Sequence, residues 1–178
     1  MAAVPTFLSL DAFEAQYGDR KPYHEYWFGE AFEKTVPTIL HSVVQHFVVQ
    51  LLLLRGYFAT GEARLKISKV AQPIPDVIAN PTLVTLPYPT EPFEVAVEIL
   101  SPGDDLKRTF TKGAHYLDWK ISFVWIIDPE KRIAFQMSQA DPVPHAATEL
   151  TASQQLKPIA LAELWAEVDR LLAKQPVL

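Results

Sequence analysis

Apolar positions along this chain switch between helix-like and strand-like spacing, and the switches give the order of elements. Ser9 or Asp11 can cap a short helix through Gln16, with Glu14 three residues after Asp11 as the capping-box partner and Gly18 as the stop. Residues 23–27 and 31–34 are short aromatic-rich runs on either side of Phe28-Gly29-Glu30, the pattern of a β-hairpin. Thr38, directly after Pro37, caps a long helix to about Leu54. Its first half is polar along one stripe, at Thr38, His41, Ser42 and Gln45, but from Phe47 to Leu54 only Gln50 interrupts the apolar residues. A helix apolar on every side must be covered on every side, by the rest of the domain or by a second subunit.

Strand spacing follows over residues 57–67, 74–79 and 93–100, and the prolines at 81, 87, 89 and 92 exclude regular structure between the last two. Asp104 or Asp105 then caps a helix to about Trp119, and residues 123–127 form a short, continuously apolar strand of the kind buried in a sheet. Asp128-Pro129-Glu130-Lys131 turns the chain into a further strand at 132–137. Residues 141–157 read as irregular. Residues 158–174 read as an amphipathic closing helix with Leu161, Leu164, Trp165, Val168, Leu171 and Leu172 facing inward. The expected order is αββ followed by αβββαββα, an α/β (α+β) fold with a mixed central sheet. One domain over 1–178 is expected, with its core at about 23–137.

Composition narrows the function classes. The chain has 178 residues, 49% hydrophobic and 21% charged, which supports a folded core rather than disorder. Cysteine is absent, so disulfides, thiolate metal sites and cysteine nucleophiles are excluded together, and a reducing, cytoplasmic setting fits. The amino-terminal stretch lacks the signature of a signal peptide, and no segment is apolar enough to be expected in a membrane. A net charge of −5 argues against gripping nucleic acid by a broad basic face. Residues 62–69, with Arg64, Lys66 and Lys69 against Glu62, suggest a small positive patch.

The candidate chemistry lies in acidic residues set inside apolar strands. Asp76 sits in IPDVIA, and Glu98 sits in FEVAVEIL, where alternation puts Phe93, Val95, Val97 and Ile99 on one face and Glu94, Ala96, Glu98 and Leu100 on the other. A buried carboxylate needs a partner. Two carboxylates from neighbouring strands suit Mg²⁺ or Mn²⁺, which take hard oxygen donors and keep waters. The plainer alternative is that Asp76 caps a turn after Pro75 and Glu98 pairs with a lysine or arginine. In the helix after Asp105, Arg108, Lys112, His115 and Tyr116 share one face, from which Lys112 can reach a site at Glu98.

These residues resemble the large bacterial family of putative restriction endonucleases, abundant in cyanobacteria, within the PD-(D/E)xK nuclease superfamily. The likeness runs from YHEYWFGEAFEK through GEARLKIS, IPDVIA, VEILSP and TKGAHYLDW to FVWIIDP. It implies a restriction-endonuclease-like αβββαβ core, with Asp76, Glu98 and the Ile99 carbonyl as metal ligands and Lys112 as the helix-borne lysine. Leu100 stands where the superfamily pattern has its strand lysine, on the same pleat face as Glu98. His41, Glu62 and Tyr116 are possible supporting residues; where family members often carry an acidic residue before the histidine, this chain has Leu40. The implied activity is Mg²⁺- or Mn²⁺-dependent phosphodiester hydrolysis of nucleic acid, DNA in the first instance. The competing expectation is a nuclease-fold binding or assembly module without catalysis. A twofold homodimer is expected from the apolar helix and Trp165.

Overall fold

The computed structural model describes residues 7–173. Its centre is a six-stranded mixed sheet in the order β3-β5-β6-β7-β8-β9, built from β3 (Phe58–Gly61), β5 (Val77–Asn80), β6 (Val95–Ile99), β7 (Phe123–Asp128), β8 (Ile133–Ser138) and β9 (His145–Ala147). Only β6 and β7 run parallel, and α3 (Leu106–Asp118) makes the crossover between them. Both faces of the sheet are covered, so every residue of β6 is buried.

On one face pack α2 (Ile39–Leu54) and α4 (Leu161–Leu172), joining Val44, Val48, Leu52, Trp125, Leu164 and Trp165 in one core cluster. On the other, α3 buries Tyr116 and Leu117 against Ala96, Val124 and Ile126. Full burial of a single leucine such as Leu52 is worth roughly 1.5–3 kcal/mol. The succession α2, β3, β5, β6, α3, β7 gives the expected αβββαβ order, with only the two-residue β4 (Ala71–Gln72) inserted. Beside it, the hairpin β1 (His24–Trp27) and β2 (Glu30–Glu33) pairs with β4 in a separate three-stranded sheet. Among the described residues, no helix is long and apolar enough to cross a membrane.

The helix caps follow the sequence: Ser9 starts α1 (Leu10–Gln16), Thr38 starts α2, and Asp105 starts α3. Several expectations change. The strand expected at 57–67 ends at Gly61, because Glu62 adopts φ +54° and turns the chain away. Asp76 precedes its strand instead of lying within it; Pro73 and Pro75 cannot donate to a ladder, so β5 opens at Val77. The alternation in FEVAVEIL holds only from Val95: Phe93 packs with Ala96 and Leu100, while Glu94 accepts a hydrogen bond from the Tyr57 hydroxyl at 2.8 Å. The stretch read as irregular contains β9 and β10 (Glu149–Leu150), the latter pairing with β11 (Ile159–Ala160). The last helix therefore begins at Leu161, Leu171 on it is exposed, and residue 174 lies outside the described residues.

Part of the apolar excess of α2 is absorbed within the chain, by α4 and the strands beneath it, and Trp165 is buried in the same cluster; Ile39, Leu53 and Leu54 of α2 stay exposed. Gly113 sets how closely α3 approaches the sheet, since a Cβ there would stand 3.0 Å from Met137 Sδ and 3.2 Å from Val124 Cγ1. Gly113→Val is expected to overpack this contact and cost about 1–3 kcal/mol in a urea melt, with a matching loss of any function that depends on Lys112 one residue earlier. A change below about 0.5 kcal/mol would show that the helix is not held by that approach.

Candidate active site

The antiparallel register of β5 and β6 pairs Val77 with Val97, so one further step brings Asp76 and Glu98 together at the end of the two strands. Asp76 is fixed from several sides. Its Oδ2 accepts the Ile99 N–H at 2.7 Å, its Oδ1 accepts from Lys34 Nζ at 2.7 Å, and its backbone carbonyl accepts from Gln45 Nε2 at 2.7 Å and the Glu62 N–H at 3.2 Å. His41 on α2 sets its Nε2 3.5 Å from Asp76 Oδ1, without a full hydrogen bond, while its Nδ1 lies 3.2 Å from Ser101 Oγ.

Glu98 is held by α3. The Tyr116 hydroxyl donates to Oε1 at 2.6 Å and Lys112 Nζ to Oε2 at 3.0 Å. The same ammonium donates to Glu25 Oε1 at 2.8 Å, and Glu25 is anchored in turn by the Ile74 N–H at 2.7 Å and Trp27 Nε1 at 3.0 Å. Lys34 also donates to the Ile74 carbonyl at 2.9 Å. The inner cluster thus sets three carboxylates, Glu25, Asp76 and Glu98, against two ammonium groups, Lys34 and Lys112, in a largely desolvated place.

That imbalance shows in the proton affinities. Burial pushes the Glu98 carboxyl up to about 7; Lys112 opposes the rise, but the charges of Asp76 and Glu25 add to it. Burial works against ionising Asp76 too, yet the His41 contact and the Lys34 charge hold it well below the usual carboxylate range. Glu25 is likewise lowered: burial opposes its charge, but Lys112 outweighs it. Burial also opposes the charge on Lys112, but Glu25 and Glu98 raise it above an ordinary lysine, so it stays an ammonium. Tyr116 is raised by burial and by Glu98, and stays a hydrogen-bond donor.

The linkage has opposite signs for the two kinds of carboxylate. Between about 4.5 and 7 the folded chain keeps a proton on Glu98 that the unfolded chain has released, so the stability Glu98 contributes is present at low pH and lost as pH rises through 7. Asp76 and Glu25 contribute stability above the ordinary carboxylate range, and it is lost as pH falls.

Asp76, Glu98, Ile99, Lys112, His41 and Glu62 all line one open cleft of about 960 Å³. Tyr116 stands behind Glu98, fully buried. Glu25 and Lys34, which also line the cleft, were not singled out by sequence reasoning. Their only signal was a charged residue facing inward from an aromatic hairpin. Two of the three cations in the expected positive patch at 62–69 are engaged: Arg64 is buried, donating to the carbonyls of His24 and Gly18 at 2.8 Å each, and Lys66 pairs with Glu14 at 2.9 Å, while Lys69 is exposed. The outer cleft carries Glu30, Glu33, Glu62, Asp104 and Asp105 against Lys107 and Arg108, so its walls are acidic overall.

The profile of the Uma2 family, described as "Putative restriction endonuclease", matches residues 9–169. The chain belongs to the Uma2 family. Its fold is that of a crystal structure described as a putative nuclease belonging to DUF820 from Anabaena variabilis, with a TM-score of 0.74 and 18% identity over 90% of this chain and 99% of that one. Among curated proteins there is no significant match. A restriction-endonuclease-like sheet is therefore the frame in which this Uma2 chain presents its carboxylates.

The donor set suits a hard divalent cation. A carboxylate offers roughly four acceptor positions. Lys34 and the Ile99 N–H occupy part of those on Asp76, and Lys112 and Tyr116 part of those on Glu98. Among the described residues, no group of three or more His, Cys, Asp or Glu side chains is arranged to hold an ion. Mg²⁺ asks for less, taking one or two carboxylates and completing its shell with water and substrate oxygens.

Proposed function

We propose that this chain is a divalent-metal-dependent nuclease that hydrolyses phosphodiesters in nucleic acid, DNA in the first instance. One observation carries the reading: Asp76 just before β5, Glu98 on β6 and Lys112 on α3 face one cleft at a strand end. Asp76, Glu98 and the Ile99 carbonyl would hold Mg²⁺ or Mn²⁺, whose chemistry is to draw charge from the scissile phosphate and acidify a water beside it. An added dication also offsets the excess of carboxylates in the inner cluster.

The remaining work belongs to the chain's own groups. Because Lys112 stays an ammonium, it donates hydrogen bonds to the attacking water or to phosphate oxygens and stabilises developing negative charge; it does not remove a proton. Glu25 holds that ammonium in register, and Tyr116 fixes the Glu98 carboxylate. Lys34 and the Ile99 N–H fix Asp76. With a net charge of −5 and acidic outer walls, binding should be weak and steeply salt-dependent.

The test is hydrolysis of plasmid and single-stranded DNA in Mg²⁺ or Mn²⁺ and in EDTA across pH. Cleavage that stops in EDTA is expected. At limiting metal it should rise as pH passes about 7, where Glu98 ionises, with the rise moving to lower pH as metal increases. Cleavage unchanged in EDTA, or falling over that interval, would remove the assignment.

A second reading has one observation in its favour. Lys34 and Lys112 already pair with Asp76 and Glu98, so the cluster holds together as a set of ion pairs, as a non-catalytic binding module would need. Absence of both Mn²⁺ uptake and cleavage would select it.

A further inference from the structure

Resting on the nuclease reading, we infer that the substrate is engaged at an unpaired base, stacked on an aromatic wall formed by Phe28 and His115 beside Lys112. Phe28 is half of the two-residue turn joining β1 and β2, and both turn residues have positive φ, +49° at Phe28 and +92° at Gly29. Turns of this kind favour asparagine or glycine at the first position, because an L side chain with a Cβ is strained there. Phenylalanine occupies it all the same, and 48% of its surface remains exposed where it lines the cleft. Burial does not explain a large aromatic placed at such a turn.

The wall behind it is continuous. The Phe28 ring lies 4.9 Å from His115, His115 stacks on Trp119 at 6.2 Å and 18°, and Trp119 stacks on Trp27 at 5.7 Å and 26°. Trp27 closes the circuit to the candidate chemistry, with Lys112 Nζ 6.0 Å from its ring. A base resting on Phe28 would therefore have its sugar-phosphate next to the candidate catalytic groups.

Charge argues for the same kind of substrate. Gripping a duplex relies on many phosphate contacts, but the cleft walls are acidic overall, Arg64 is buried and Lys66 is paired. Stacking on an aromatic face needs no positive charge and accepts any base. The cations left at the cleft mouth, Lys107 and Arg108, are enough for a few phosphates of a single strand. Arg108 is itself spread over the Phe32 ring at 4.6 Å.

The experiment measures binding of a labelled single-stranded oligonucleotide and of its duplex at low ionic strength in Ca²⁺, for the wild type, Phe28→Asn and Phe28→Trp. Asparagine suits the turn better than phenylalanine, so Phe28→Asn should melt at least as high as the wild type, and its binding reports on the ring alone. The single strand is expected to bind at least about tenfold tighter than the duplex, Phe28→Asn to weaken it about tenfold, and Phe28→Trp to restore it. Equal or tighter binding of the duplex, or unchanged binding by Phe28→Asn, overturns the inference. Cleavage of the same oligonucleotides in Mn²⁺ separates the two proposals. Binding through Phe28 without cleavage leaves the stacking wall and removes the nuclease, whereas duplex cleavage indifferent to Phe28 does the reverse.

Discussion

Asp76→Asn is expected to lower metal-dependent hydrolysis at least about a thousandfold, because losing a charged ligand forfeits several kcal/mol of stabilisation at the scissile phosphate. Asparagine keeps the shape of the side chain and an oxygen to accept the Ile99 N–H, so the strand end should stay in place. What goes is the charge that faces Lys34 at 2.7 Å and His41 at 3.5 Å. Steady-state rates in saturating Mn²⁺, with a melt of the same sample, separate the two effects: the rate should collapse while the fold survives. A variant retaining more than about a tenth of the wild-type rate would take Asp76 out of the reaction.

Lys112→Met should have the largest effect on stability. This one ammonium answers two buried carboxylates, Glu25 and Glu98, so its removal strands both. Breaking a buried pair from one side typically costs about 3–5 kcal/mol, much of it the penalty of the charge left behind. Both carboxyl groups would then bind protons more tightly in the folded chain, and the stability they contribute would be lost as pH rises. The deficit in urea melts should therefore be greatest at neutral pH and shrink at acid pH. A loss under about 1 kcal/mol at neutral pH would mean that Lys112 is a solvated surface residue.

The sequence was most readable where a local signal suffices. Thr38 and Asp105 each begin a helix by accepting one orphan N–H, and Gly29 marks the turn between two aromatic-rich runs that pair as a hairpin. Strands β9, β10 and β11 were missed because they are two or three residues long, too short for alternation to register. The site divides the same way. Asp76, Glu98 and Lys112 stand out as charges among apolar neighbours or on one helix face. Glu25 and Lys34 do not, since the groups that fix them, Trp27 apart, lie some forty or more residues away and are met only when the hairpin docks on the sheet. Arg64 misled for a related reason: amid a run of charges it looked solvated, but its partners are backbone carbonyls at Gly18 and His24, which no side-chain pattern announces.

If Asp76 and Glu98 jointly hold one divalent ion, calorimetric titration of the folded chain with Mn²⁺ will register it. A single site is expected in the wild type, filled at millimolar Mn²⁺ or below with release of protons near neutral pH, and abolished separately by Asp76→Asn and Glu98→Gln. Absence of uptake by the wild type, or uptake that survives both substitutions, would contradict it.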